Sequence, residues 1–206
     1  MSAGLWRLAR PLLLASGSQT RRELLTSAAI PLEVAGPRVD ERAIEAEARA
    51  AGADPAGVAT VLAAAKALDV SRRHRDRLVL GADQTLACEG TALHKPRDRE
   101  EARSQIAFLS GRTHSLHSAV ALARDGVLVG QLRDDARLTL RALAPEAIEL
   151  YLDLAGDRAT ASVGAYQLEG VGIHLFERVE GDHATILGLP LLPLLGLLRE
   201  TGALAL

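Results

Sequence analysis

The sequence predicts an α/β protein built on a mixed, twisted sheet with flanking helices, with two lobes around a central cleft as the expected layout. Two observations carry the fold class. Short apolar runs at residues 12–15 and 78–80 have the length and the polar flanks of buried strands. Segments with cap residues and a helical apolar period alternate with them, and no internal repeat or low-complexity linker interrupts the alternation. With 206 residues and 48% apolar composition the chain has enough material for its own core, and residues 1–206 read as a single domain.

The elements follow in order. Residues 12–15 form the first strand, Ser16-Gly17-Ser18-Gln19-Thr20 the loop after it, and residues 21–28 a helix. A second short strand at 32–35 leads to a charged loop, Arg38-Val39-Asp40-Glu41-Arg42, and then an Ala/Glu-rich helix. Asp54-Pro55 is a cap and first-turn proline, opening a helix whose apolar stripe is Val58, Val61, Leu62, Ala65 and Leu68. The strand 78–80 is expected to end at Gly81-Ala82-Asp83, with 84–86 continuing as a bent ribbon. Asp98 caps the next helix (Ala102, Ile106, Leu109), which Ser110-Gly111 stops. Asp125-Gly126 is a type I′ turn pair between two strands, and Ala136, Leu138 and Leu140 alternate inward on the second. Pro145 opens a helix to Leu154, a glycine-rich stretch at 162–190 surrounds a strand at 173–179, and a last helix follows Pro190.

Charge narrows the function. A formal net charge of −2 leaves no basic surplus for neutralising a nucleic acid polymer. The single cysteine, Cys88, forms no internal disulfide and no Cys/His group has zinc spacing, which suits a reducing, cytoplasmic setting. The apolar run behind Arg7 and Arg10 is too short for a secretory signal, and prolines and glycines break the run at 186–198, so no membrane span is expected. All but two of the 24 basic residues are arginine, the exceptions being Lys66 and Lys95. A lysine kept in such a background marks a place where a compact point charge is wanted and a planar fork does not serve, so both are candidate site residues.

Two segments carry chemistry. The loop around Ser18 and Arg21 joins a strand to a helix start, where hydroxyls, free backbone N–H groups and a guanidinium suit a phosphate; it lacks the Gly-Lys-Ser/Thr ending of a Walker A loop. Asp83, expected at a strand end, sits where α/β proteins place active sites and suits a proton acceptor or, with Glu41, the oxygen donors of magnesium.

These segments resemble the Maf family of nucleotide pyrophosphatases. The matching residues are Leu-Ala-Ser-Gly-Ser-x-x-Arg-Arg-x-Leu-Leu at 14–25, Leu-Gly-Ala-Asp at 80–83, Lys95-Pro96, Ser110-Gly111-Arg112-Thr113-His114, Gly164-Ala165-Tyr166, Phe176-Glu177-Arg178 and Gly188-Leu189-Pro190-Leu191. The resemblance spans nearly the whole chain and implies a Maf/ITPase-like fold that cuts nucleoside triphosphates to the monophosphate and diphosphate. It implies Asp83 as catalytic proton acceptor, Glu41 as its partner toward Mg²⁺ or Mn²⁺, Lys66 and Lys95 as phosphate ligands, Ser18 and Arg21 as the phosphate loop, and a homodimer. Gln84 and Glu169 stand where the branch acting on dTTP and UTP has Thr and Gln, so the chain looks more like the branch acting on 7-methyl-GTP. Glu169 is suited to accept from a guanine N1–H and amino group, which thymine and uracil do not offer; the alternative is an ion pair with a nearby arginine. Gln19-Thr20 replaces the family's usual Pro-Arg and removes one positive charge.

Competing readings are a haloacid-dehalogenase-like phosphatase, disfavoured by Thr85 where a second Asp is needed, and a nucleotide-binding regulator of cell division with little or no hydrolysis. His114 and His117, at odd spacing on a strand, are expected on opposite faces in structural roles.

Overall fold

A computed structural model describes residues 4–206. Seven strands form one mixed sheet: β1 (Leu12–Ala15), β2 (Leu32–Val34), β3 (Val79–Cys88), β4 (Thr91–Leu93), β5 (Thr113–Arg124), β6 (Val127–Leu140) and β7 (Phe176–Glu180). Their order is β2-β1-β3-β5-β6-β7, with β4 paired to β3. The helices are α1 (Gln19–Ser27), α2 (Glu41–Ala50), α3 (Pro55–Arg73), α4 (Arg99–Leu109), α5 (Pro145–Ala155), α6 (His183–Ile186) and α7 (Leu191–Glu200). The chain forms two compact units: the described residues up to Gln84 with Ser118–Asp134 and Gly188–Leu206, and Thr85–His117 with Asp135–Leu187. Among the described residues no helix is long and apolar enough to cross a membrane.

In the first unit β1 runs parallel to both β2 and β3, pairing Ala15 with Gly81 at its end. The pleat sorts side chains between two faces. Leu12, Leu14, Leu80, Ala82, Val120 and Leu122 join Leu194 and Leu198 of α7 in one cluster. On the other face Leu13, Ala15 and Val79 pack with Val70, and Ala119, Ala121 and Ala123 with Ala59, Ala63 and Ala67 of α3. The stripe of α3 that meets the sheet is therefore mainly alanine, with Val70, and of the branched residues expected from the sequence only Leu68 packs against it. Val58 and Leu62 are buried against α2 instead, and Val61 is 42% exposed.

Small side chains let α3 approach closely. A Cβ at Gly81 would stand 2.2 Å from the Ala63 carbonyl oxygen and 2.6 Å from the Ala67 nitrogen. Both obstacles are helix backbone, so neither yields without moving α3.

Several expected boundaries shift. Helix α1 begins two residues early because Ser18 caps it, its side chain accepting from the Arg21 N–H. Glu41 is in the first turn of α2, not in a loop, since Asp40 caps that helix. Strand β3 runs without a break from Val79 through Asp83 and the expected continuation at 84–86 to Cys88, where antiparallel pairing with β4 sustains it. Residues 171–175 form a 3₁₀ turn, so β7 starts only at Phe176. The Asp125-Gly126 turn is as expected, both residues at positive φ (54° and 83°).

The core of the second unit gathers Leu86, Ile106, Leu116, Leu138, Leu140, Ile148 and Leu152. His114 lies among them, 1% exposed, its Nε2 2.6 Å from the Tyr166 hydroxyl and its Nδ1 without a partner. His117 is on the opposite face, 2.8 Å from Asp135.

Two outcomes test these packings. Gly81→Ala is expected to destabilise the protein by at least about 2 kcal/mol, read as a lower urea midpoint at unchanged slope. Burial lowers the pKa of His114 from 6.5 to about 4. As pH falls from 6.5 to 4 the unfolded chain binds a proton there that the folded chain refuses, so stability drops over that window by up to about 3 kcal/mol. His114→Phe should lose that share of the pH dependence in denaturation curves taken across it.

Candidate active site

Six of the eight sequence-derived candidates lie in the first unit; Asp83, Lys66 and Glu41 meet directly, and the charge of Arg21 acts on Asp83. Val79, Gly81 and Asp83 alternate onto the face of β3 that α3 covers, and Asp83 lies just past the last β1-paired residue, at the carboxyl edge of the parallel strands. Lys66 continues the buried stripe of α3 beside Ala63 and Ala67, a core position occupied by a charge. Its Nζ donates to Asp83 Oδ1 at 2.7 Å. Helices α2 and α3 pack through Ile44, Ala48, Val58 and Leu62; one turn further along each, Glu41 Oε2 meets the same ammonium at 2.7 Å.

Asp83 and Lys66 are 8% and 7% exposed, whereas the Glu41 side chain is half exposed. Burial raises the Asp83 pKa above the ordinary carboxylate range; the charges of Lys66 and Arg21 pull it back and Glu41 adds to the rise. Arg21 feels the reverse: burial lowers its pKa, and the charges of Asp83 and Glu41 oppose that.

Arg21 is more constrained than the sequence suggests. Its Nε donates to the Gly188 carbonyl at 2.8 Å, and its Nη1 to Ser16 Oγ and the Ala82 carbonyl, both at 3.0 Å. Three of its five N–H donors are thus held by protein and only Nη2 is left for a ligand, so a full two-nitrogen fork on a phosphate is not on offer. Gly188, at φ +92°, leaves space beside Arg21 Nη2 and Gln84 Oε1, each 3.5 Å from where a Cβ would stand. Gln84 donates to Ser118 Oγ at 3.0 Å. Ser16 and the Gly188 and Ala82 carbonyls were missed by sequence reasoning. A contact across 167 residues leaves no local signal, though Gly188 stood in a glycine-rich stretch.

The other two candidates belong to the second unit. Lys95 is exposed, in the segment between β4 and α4, beside the buried Pro96 and the His94 carbonyl that Gln105 Nε2 holds at 2.9 Å. Glu169 is exposed on a turn closed by the Gly170 N–H on the Gln167 carbonyl, and among the described residues it makes no ion pair with an arginine.

The donor set fits a hard divalent cation in a particular way. Among the described residues no group of three or more His, Cys, Asp or Glu side chains is arranged to hold a metal. Two carboxylates, Glu41 and Asp83, share one centre, which is the protein's usual contribution where substrate phosphates and water complete the octahedron of Mg²⁺.

The family profile for Maf-like proteins matches residues 11–201. This chain belongs to the Maf family. It is 53% identical over 203 residues to the nucleoside triphosphate pyrophosphatase of Nitrobacter winogradskyi, covering 98% of this chain and 99% of that one. It is 52% identical over 193 residues to the 7-methyl-GTP pyrophosphatase of Rhizobium johnstonii, covering 94% and 97%. The Rhizobium meliloti protein of the same name is 51% identical over 193 residues, with the same coverage.

Replacing Arg21 by Lys, which cannot reach Ser16, Ala82 and Gly188 together, is expected to cost about 1–3 kcal/mol in chemical denaturation. Arg22→Lys on the exposed face of α1 should stay within about 0.5 kcal/mol of wild type.

Proposed function

We propose that this Maf protein hydrolyses nucleoside triphosphates to the monophosphate and diphosphate, with Asp83 as the proton acceptor. The observation that carries the reading is a buried carboxylate of raised pKa, held by one lysine against a second carboxylate at the carboxyl edge of the sheet's parallel strands. A carboxylate whose pKa is raised is a stronger proton acceptor than an ordinary one, and burial shields it from bulk solvent. The names of the relatives support the reaction class.

In this mechanism the Ser18 hydroxyl, the first N–H groups of α1 and Arg21 Nη2 donate to phosphate oxygens, and Lys66 adds its positive charge. Asp83 orients a water molecule in line with the α-phosphorus and accepts its proton as the P–O bond to the diphosphate breaks. Glu41 and Asp83 would hold Mg²⁺ or Mn²⁺, which offsets the charge of the triphosphate when bound. The roles of Lys95 as a phosphate ligand and Glu169 as an acceptor for a guanine-type base are proposed on the family resemblance. So are the homodimer and the cytoplasmic location. An unpaired, exposed Glu169 agrees with a base-reading role better than with an arginine partner, and 7-methyl-GTP is the first substrate to try.

The decisive experiment incubates the protein with Mg²⁺ and canonical and modified triphosphates, measuring diphosphate and orthophosphate separately. Diphosphate release lost by a factor of about 10² or more in Asp83→Asn is the expected result, since general-base catalysis is typically of that size. Orthophosphate as first product would overturn the assignment. The acid limb of kcat/KM, which reports the free enzyme, should lie above that of an ordinary carboxylate, because below the raised pKa Asp83 already holds its proton. In the same panel Glu169→Gln should narrow the preference for guanine-type bases over dTTP and UTP.

A further inference from the structure

Lys66 is in the wrong place for a side chain that only waits for phosphate. Its ammonium sits 2.7 Å from Glu41 Oε2 and 2.7 Å from Asp83 Oδ1, and so meets the two oxygens that a divalent cation would need. The surrounding charge is balanced as well. Glu41 and Asp83 stand against Lys66 and Arg21, and Arg21 is tied to Ser16, Ala82 and Gly188. A free cation approaching this cluster meets no net negative charge, and must displace an ammonium from a largely dry position.

We infer that Lys66 is the resident counter-ion of Glu41 and Asp83 in the nucleotide-free protein and releases both carboxylates only when triphosphate oxygens take over its ammonium. Cation and triphosphate then bind interdependently. This rests on the reading above in taking Glu41 and Asp83 as the cation's ligands. A triphosphate brings the negative charge that the cluster lacks and offers Lys66 an equivalent set of acceptors. The lysine stem, long and unbranched, permits the exchange without moving α3. The choice of lysine in an arginine-rich chain follows: a guanidinium bound by two carboxylates would have no comparable single point to transfer.

The inference is tested by titrating Mn²⁺ and following the free ion by electron paramagnetic resonance, with and without α,β-methylene-GTP and with the analogue's own Mn²⁺ binding subtracted. Wild type is expected to bind Mn²⁺ weakly alone and at least about tenfold more tightly with the analogue, within the usual range of coupling between two ligands. Without nucleotide, Lys66→Met should bind Mn²⁺ about tenfold or more tightly than wild type, because the competing ammonium is gone. Glu41→Gln, a change at an exposed side chain, should lose most of the analogue-dependent gain. Equal Mn²⁺ affinity of wild type with and without the analogue overturns the inference, as does a folded Lys66→Met that binds no better than wild type. If Lys66→Met does not fold, the wild-type pair and Glu41→Gln decide. A protein that releases no diphosphate from any triphosphate refutes the pyrophosphatase reading instead, and the nucleotide-free comparison of Lys66→Met with wild type still stands.

Discussion

The close approach of α3 to the sheet at Gly81 is the constraint on which the rest of the site depends. With no side chain at Gly81 and alanines at 59, 63 and 67, the helix backbone lies almost on the strand. Only at that separation does a lysine one turn along the same stripe end within 2.7 Å of Asp83. Larger residues at these positions would bury more apolar area but would lift the helix away. The unit gives up some hydrophobic stabilisation here, about 0.8 kcal/mol for each buried methylene not present, and gains a fixed distance between two charges.

That fixed distance makes a buried charge cluster tolerable. Removing a lone carboxylate from water costs several kcal/mol, more than a single ion pair reliably returns. Asp83 is balanced by one direct ammonium and by the field of Arg21, yet burial still prevails and its pKa is raised. Glu41, half in solvent, costs little and completes the neutralisation of Lys66. The cluster is close to balance without being strongly stabilised, and that condition lets an incoming anion rearrange it. Arg21 is the rigid member. Its three hydrogen bonds connect the loop after β1, the backbone of β3 and the segment before α7, and none of them involves Lys66.

Most of the fold was readable because its signals are local. Caps at Asp54 and Asp98, the turn at Asp125-Gly126 and the apolar runs of β1 and β3 each announce themselves within a few residues. The errors came where pairing or packing from elsewhere overrode local preference. Strand β3 runs through Asp83 because β4 pairs with its end, and the stripe of α3 could not be told from its hydrophobicity because the sheet demanded smallness there. Lys66 and Lys95 stood out by rarity, Asp83 by its place after an apolar run; none of these signals carried a distance.

By itself the sequence determined the α/β class and the family and singled out candidate site residues, because residue types, caps and turn chemistry act over a few positions and are written in order along the chain. Tertiary structure alone decided that Lys66 joins Glu41 to Asp83, and that Arg21 spends most of its donors on the Ser16 hydroxyl and on carbonyls as far away as Gly188. The physical reason is range. A charge takes its partner and its protonation state from whatever the folded chain packs within a few ångströms of it, and in a buried site those neighbours come from segments that have no local means of specifying one another.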